Sequence, residues 1–156
     1  LSYKGRFLQG SRKVILSIGN LALYICMNRR IIITASILGL LAVISGAFAA
    51  HGLKKYLSAS QLEIWHTGVQ YQFYHVFALL FLSTFAKEGN RLTNTAYYLF
   101  TFGIICFSGS LYLLACRELF GWGWLVVMGP VTPLGGLLFI AGWATMALAA
   151  LRNKLS

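Results

Sequence analysis

The side chains able to do chemistry gather in one part of the chain. Three histidines, His51, His66 and His75, occur with Glu63, Gln70, Tyr71, Gln72 and Tyr74. Imidazoles and a carboxylate could ligate a metal or haem, or relay protons. Spacing limits that reading. His66 and His75 are nine residues apart, which on one helix is about 13.5 Å of rise and a half-turn of azimuth, so they cannot share an ion. A site would need His51 beside His66, with Glu63 one turn away. No H-E-x-x-H or C-x-x-C spacing occurs. No metal and no cofactor is therefore expected. The histidines and glutamines read first as hydrogen-bonding groups between helices. A binding role stays open, because an ionisable residue inside a membrane is a functional candidate by default.

No catalytic residues stand out. Ser108-Gly109-Ser110 lacks the preceding strand and neighbouring acid of a nucleophile elbow, and packing of small residues explains it better. Cys106 and Cys116 lie ten residues apart in one apolar run, about 15 Å on a helix and too far for a disulfide.

The elements that must position these groups are membrane helices. Of 156 residues, 58% are hydrophobic and only 10% charged, against a net charge of +10. The bases sit at the ends of apolar runs and form no patch with interleaved aromatics, which argues against nucleic-acid binding. Basic flanks beside apolar spans are instead the positive-inside signature. Helices are expected at about 31–50, 61–86, 95–116 and 133–151, each long enough to span a bilayer. Short links between them predict antiparallel neighbours.

Ala47-Phe48-Ala49 resembles a signal-peptidase site. Against cleavage stands a seam of small residues at Ala35, Gly39, Ala42, Gly46 and Ala49, in steps of 4, 3, 4 and 3. Small residues let membrane helices approach closely, and a discarded signal needs no such seam. Gly135, Gly142 and Ala149 make a second face of this kind. Residues 1–26 read either as an extension upstream of Met27 or as an interfacial helix.

Helix starts are expected at Ser60, in a capping box with Glu63, and at Thr132, with Pro133 at the first helical position. Gly52 is a candidate left-handed cap, and Lys54 or Lys55 can pair with Glu63. On the second helix Glu63, His66, Thr67, Gln70, Tyr71, Tyr74 and His75 occupy about half the circumference, a half expected to face partner helices or a wet cleft. Six bases, Arg29, Arg30, Lys87, Arg91, Arg152 and Lys154, fall on the side of the termini, and three, Lys54, Lys55 and Arg117, on the other. Both termini are therefore expected in the cytoplasm.

Gly46-Ala-Phe-Ala-Ala-His-Gly-Leu53 and Thr67-Gly-Val-Gln-Tyr-Gln-Phe-Tyr-His75, with Phe107-Ser-Gly-Ser-Leu-Tyr112, Thr132-Pro-Leu-Gly-Gly136 and Gly142-Trp143, resemble the "domain of unknown function 423" family of small bacterial membrane proteins. The resemblance runs from about Met27 to the C-terminus and implies a four-helix inner-membrane protein, with no activity and no catalytic residues to carry over. The expectation is thus an all-α, antiparallel four-helix membrane bundle without enzymatic activity. Its partners would be the lipid bilayer and either a second copy or another membrane protein. The polar seam of His51, Glu63, His66, Gln70, Tyr71, Tyr74 and His75 would stabilise the bundle or bind a ligand. Two rivals remain: a transport or channel subunit with that seam along a hydrated path, and a metal or haem redox protein.

Overall fold

A computed structural model of the chain describes residues 29–85, 90–121, 123 and 129–153. Residues 1–26, Trp122 and Trp124 lie outside them. The described residues form four α-helices: α1 over 29–51, α2 Ala59–Phe85, α3 Arg91–Cys116 and α4 Val131–Asn153. A short 3-10 turn, Leu53–Lys55, joins α1 to α2.

Contacts between named residues fix the topology. Gly39 faces Val76 and Gly46 faces Val69, so α1 and α2 are antiparallel. Gly68 meets Tyr112 and Gly103 meets Phe139, which reverses direction again at α3 and at α4. α1 and α3 consequently run parallel, and Thr34 shares a 3.0 Å hydrogen bond with Tyr97 near their N-terminal ends. The result is an up-down-up-down bundle.

The α1 seam packs as its spacing implies. Ala35, Ala42 and Ala49 are buried, and Gly39 and Gly46 are half-buried against valines of α2. On the opposite side of α1, Ile33, Ile37, Leu40 and Ile44 are exposed, a surface suited to hydrocarbon. The second small-residue face joins α4 to α3. A Cβ on Gly135 would lie 2.5 Å from the Phe107 backbone nitrogen. Phe100 fills the space beside Gly142, and Phe139 reaches back over Gly103.

Among the described residues, three helices are long and apolar enough to cross a membrane: 29–55 counted with its turn, α3 and α4. α2 is not among them, although its 27 residues span about 40 Å. Its sequence is diluted by Glu63, His66, Gln70, Gln72 and His75. α2 lies lengthwise against α1 and α3. Continuing the Gly39–Val76 and Gly46–Val69 register sets Ala50 beside Trp65 and Ile31 beside Thr84. The uncharged run of α1 therefore lies alongside residues 65–84 of α2.

Several local expectations are corrected. The capping box of α2 is Ser58-Ala-Ser-Gln61: the Ser58 backbone N–H donates to Gln61 Oε1 at 2.8 Å, and the Gln61 N–H donates to Ser58 Oγ at 3.4 Å. Ser60 and Glu63 hold the same spacing two residues later. The earlier register prevails because it also puts buried Leu57 before the cap and Leu62 at the fourth helical position, both in one apolar cluster, forming a hydrophobic staple. α4 starts at Val131, with the Leu134 N–H donating to the Pro130 carbonyl. Thr132 does not cap it; its hydroxyl hydrogen-bonds Ser110 Oγ of α3 at 2.7 Å. Pro133 sits within the first turn, where its missing donor is harmless. Gly52 is right-handed, with φ −88°. A Cβ there would lie 2.8 Å from the Phe48 ring, which explains the glycine by space. Glu63 is exposed, and the ion pair among the described residues is Arg117–Glu118 at 3.6 Å.

Candidate functional site

α2 touches all three other helices, and its polar groups divide by direction. Gln72 points inward and is 4% exposed. Its Nε2 donates to the Leu38 carbonyl of α1 at 2.7 Å, and its Oε1 accepts from Tyr112 of α3 at 2.8 Å. One amide thus pins three helices. Tyr112 also packs on Trp65, with ring centroids 4.5 Å apart, and Trp65 Nε1 donates to the Ser45 carbonyl. At the N-terminal end of α1, Arg30 lies over the Tyr97 and Tyr98 rings and donates to the Tyr98 hydroxyl at 2.7 Å. No spacing rule identified that clasp. Its only trace in the sequence is an aromatic pair near the start of α3.

His75 points toward α4. Its ring stacks on Phe139, with centroids 3.4 Å apart and planes 6° from parallel. Its Nδ1 lies 2.8 Å from the Tyr71 carbonyl, and Trp143 Nε1 donates to Nε2 at 3.3 Å. A carbonyl only accepts and an indole N–H only donates, so Nδ1 carries the proton and Nε2 is the acceptor. Both ring nitrogens are thereby engaged within the protein.

Beside His75 runs a groove of about 740 Å³. α2 contributes Tyr71, Tyr74, His75 and Phe77; α3 contributes Phe107; α4 contributes Gly136, Phe139, Ile140 and Trp143. The volume is that of a small-molecule site, and the walls are largely aromatic. Gly136 leaves room in the wall: a Cβ there would meet only the Phe107 ring edge, at 4.0 Å. A smaller apolar cavity of about 410 Å³ lies near the α1–α2 turn, between Phe48, Leu53, Tyr56, Trp65 and Tyr112.

The structure separates the sequence-derived seam. Tyr71, Tyr74 and His75 meet at the groove. His51, Glu63, His66 and Gln70 are exposed on the outer surface, away from His75. The half-circumference expected to face partner helices is thus largely turned outward within a single chain. Helical periodicity groups residues by azimuth but does not say which side of α2 its neighbours occupy. Phe107, Phe139, Ile140 and Trp143 were not anticipated as site residues. Their one signal is that they neighbour the glycines of the α3–α4 contact. Among the described residues, no group of three or more His, Cys, Asp or Glu is placed to hold a metal ion.

Comparison with known proteins supplies the family. The sequence pattern of the family described as "Protein of unknown function (DUF423)" matches residues 45–136. The chain belongs to the DUF423 family. Among DUF423 relatives, the membrane protein YwdK of Bacillus subtilis is 41% identical over 123 residues, covering 78% of this chain and 95% of that protein. The inner membrane protein YgdD of Escherichia coli is 38% identical over 130 residues, covering 81% and 93%. A Haemophilus influenzae membrane protein is 34% identical over 128 residues, covering 82% and 98%. No solved structure matches the chain. This DUF423 protein is a multi-pass bacterial inner-membrane protein, and the matched stretch contains α2, α3 and the α2 wall of the groove.

Proposed function

We propose that this protein is a non-enzymatic membrane bundle whose groove between α2 and α4 takes the apolar chain of a membrane ligand. The carrying observation is the groove itself: about 740 Å³, walled by aromatic and aliphatic side chains. Its one imidazole has both nitrogens committed to Tyr71 and Trp143. An imidazole bound in this way is a structural support, not a free base or metal ligand. Apolar walls with few polar groups suit a hydrocarbon or isoprenoid chain, which the surrounding bilayer supplies.

Transport along a polar seam finds less support. Glu63, His66 and Gln70 lie outside, and His75 lies on the groove side, so the described polar groups do not line up through the bundle. By the distribution of bases, both termini are assigned to the cytoplasm, with α2 crossing alongside α1 and α3.

The test uses the full chain in nanodiscs containing lipids brominated along their acyl chains, which quench tryptophan. Trp143 borders the groove. Gly136→Phe fills the groove from a position with space around its Cβ. The expected result is strong quenching in the wild type, reduced in Gly136→Phe relative to Gly136→Ala, with unchanged helicity. Equal quenching in all three proteins would overturn the reading.

A further inference from the structure

The outer faces of α1 and α4 suit lipid: their exposed large side chains include Ile37, Leu40, Leu137 and Leu148. α2 breaks this pattern. Glu63, His66, Gln70 and Tyr74 project outward in steps of 3, 4 and 4 residues, one continuous helical stripe. Thr67 beside them is satisfied through its bond to the Glu63 carbonyl at 2.9 Å. The side chains of Glu63, His66 and Gln70 have no hydrogen bond or ion pair among the described residues.

Depth makes the stripe costly. The α1–α2 register sets residues 65–84 of α2 beside the uncharged run of α1. His66, Gln70 and Tyr74 therefore lie at hydrocarbon depth, with Glu63 at its edge. Lipid offers no hydrogen-bond partner to a glutamine amide or an imidazole. Such groups in membrane helices pair across helix interfaces.

We infer that a second copy of this chain covers the stripe, in a dimer through α2 about a two-fold axis along the membrane normal. The stripe complements itself. Two copies inserted in the same sense bring their α2 helices together in parallel, so each Gln70 meets its counterpart. An amide carries both donor and acceptor and can exchange two N–H···O=C bonds with an identical amide. Glu63 offers only acceptors, and the imidazole of the second copy's His66, one turn along, offers a donor. Such a face is isologous, as a two-fold contact requires. Polar side chains at a helix contact also fix its register. Tyr74, the last residue of the stripe, also borders the groove, so the dimer contact centres on His66 and Gln70 and adjoins the groove at Tyr74.

The test uses the full chain with Cys26, Cys106 and Cys116 replaced by serine, reconstituted in lipid at low protein density. Single cysteines are introduced as His66→Cys, Gln70→Cys or, on the α4 outer face, Leu137→Cys, and oxidative cross-linking is measured. The expected result is covalent dimer at 66 and 70 and monomer at 137. Single-molecule photobleaching of a cysteine-independent label then counts copies. The wild type bleaches in two steps, and Gln70→Leu dimerises about tenfold more weakly. Exclusively one-step bleaching, cross-linking equal at 66, 70 and 137, or adducts only with a different protein would each overturn the inference. Because Gln70 is exposed, Gln70→Leu keeps the wild-type thermal stability of the monomer; a collapse of that stability would equally count against it.

Discussion

At the scale of single residues, two neighbouring glycines do opposite things. Gly135 lies against the Phe107 backbone, and a Cβ there would come within 2.5 Å of a nitrogen that cannot rotate away. Gly136 faces the groove with open space. Gly135→Ala should lower stability in detergent by about 1–3 kcal/mol, the usual range for overpacking, whereas Gly136→Ala should leave the melting temperature nearly unchanged. Differential scanning fluorimetry of both variants checks the contrast. Gln72 is the other decisive residue. Gln72→Leu removes bonds to Leu38 and Tyr112 and leaves the Tyr112 hydroxyl without that acceptor. A loss of ~1–2 kcal/mol is expected. Tyr112→Phe with Gln72→Leu should cost less than the sum of the two single changes, as a double-mutant cycle on unfolding would show. The sequence marked Gln72 as a hydrogen-bonding group between helices. Its bridging of α1 and α3 follows from the side of α2 on which they pack, which no local pattern specifies.

At the scale of elements, all four helices were legible from apolar runs and punctuation. Their ends were not, because two cap signals overlap. Ser58 and Ser60 each stand three residues before a Gln or Glu, and only the packing of Leu57 with Leu62 distinguishes them. Ser58→Ala should therefore destabilise α2 by about 1 kcal/mol, and Ser60→Ala by much less. Hydrogen exchange at the amides of 59–62 would register the difference as earlier opening in Ser58→Ala alone. At α3 the cap is local: the Asn90 side chain accepts from the Leu92 N–H at 3.0 Å. At α4 the Thr132 hydroxyl turns to Ser110 instead. A hydroxyl near a helix start has two ways to be satisfied, and the neighbouring helix decides between them.

At the scale of the whole molecule, α2 is the least lipid-like helix and the one with neighbours on most sides. Among the described residues, α1, α3 and α4 are long and apolar enough to cross a membrane; α2 packs against α1 and α3, and its inward amide is bonded to both. From Arg29 onward the bases are distributed six to three between the two ends, and this bias sets the expected orientation. Green fluorescent protein fused after Ser156 should fluoresce and alkaline phosphatase fused there should be inactive, with the reverse at Lys55. Active phosphatase at the C-terminus would reverse the assignment.

The sequence by itself determined that this chain is a helical membrane protein, where its helices lie, and that small residues line their contacts. Those features are local: they depend on apolar length, on helical period and on side-chain size. Which half of α2 turns inward was decided only by the tertiary structure. So were the sealing of His75 between Tyr71, Phe139 and Trp143 and the opening of a groove beside it. Azimuth around a helix acquires meaning only when neighbours occupy particular sides, and that placement arises from all the interfaces at once.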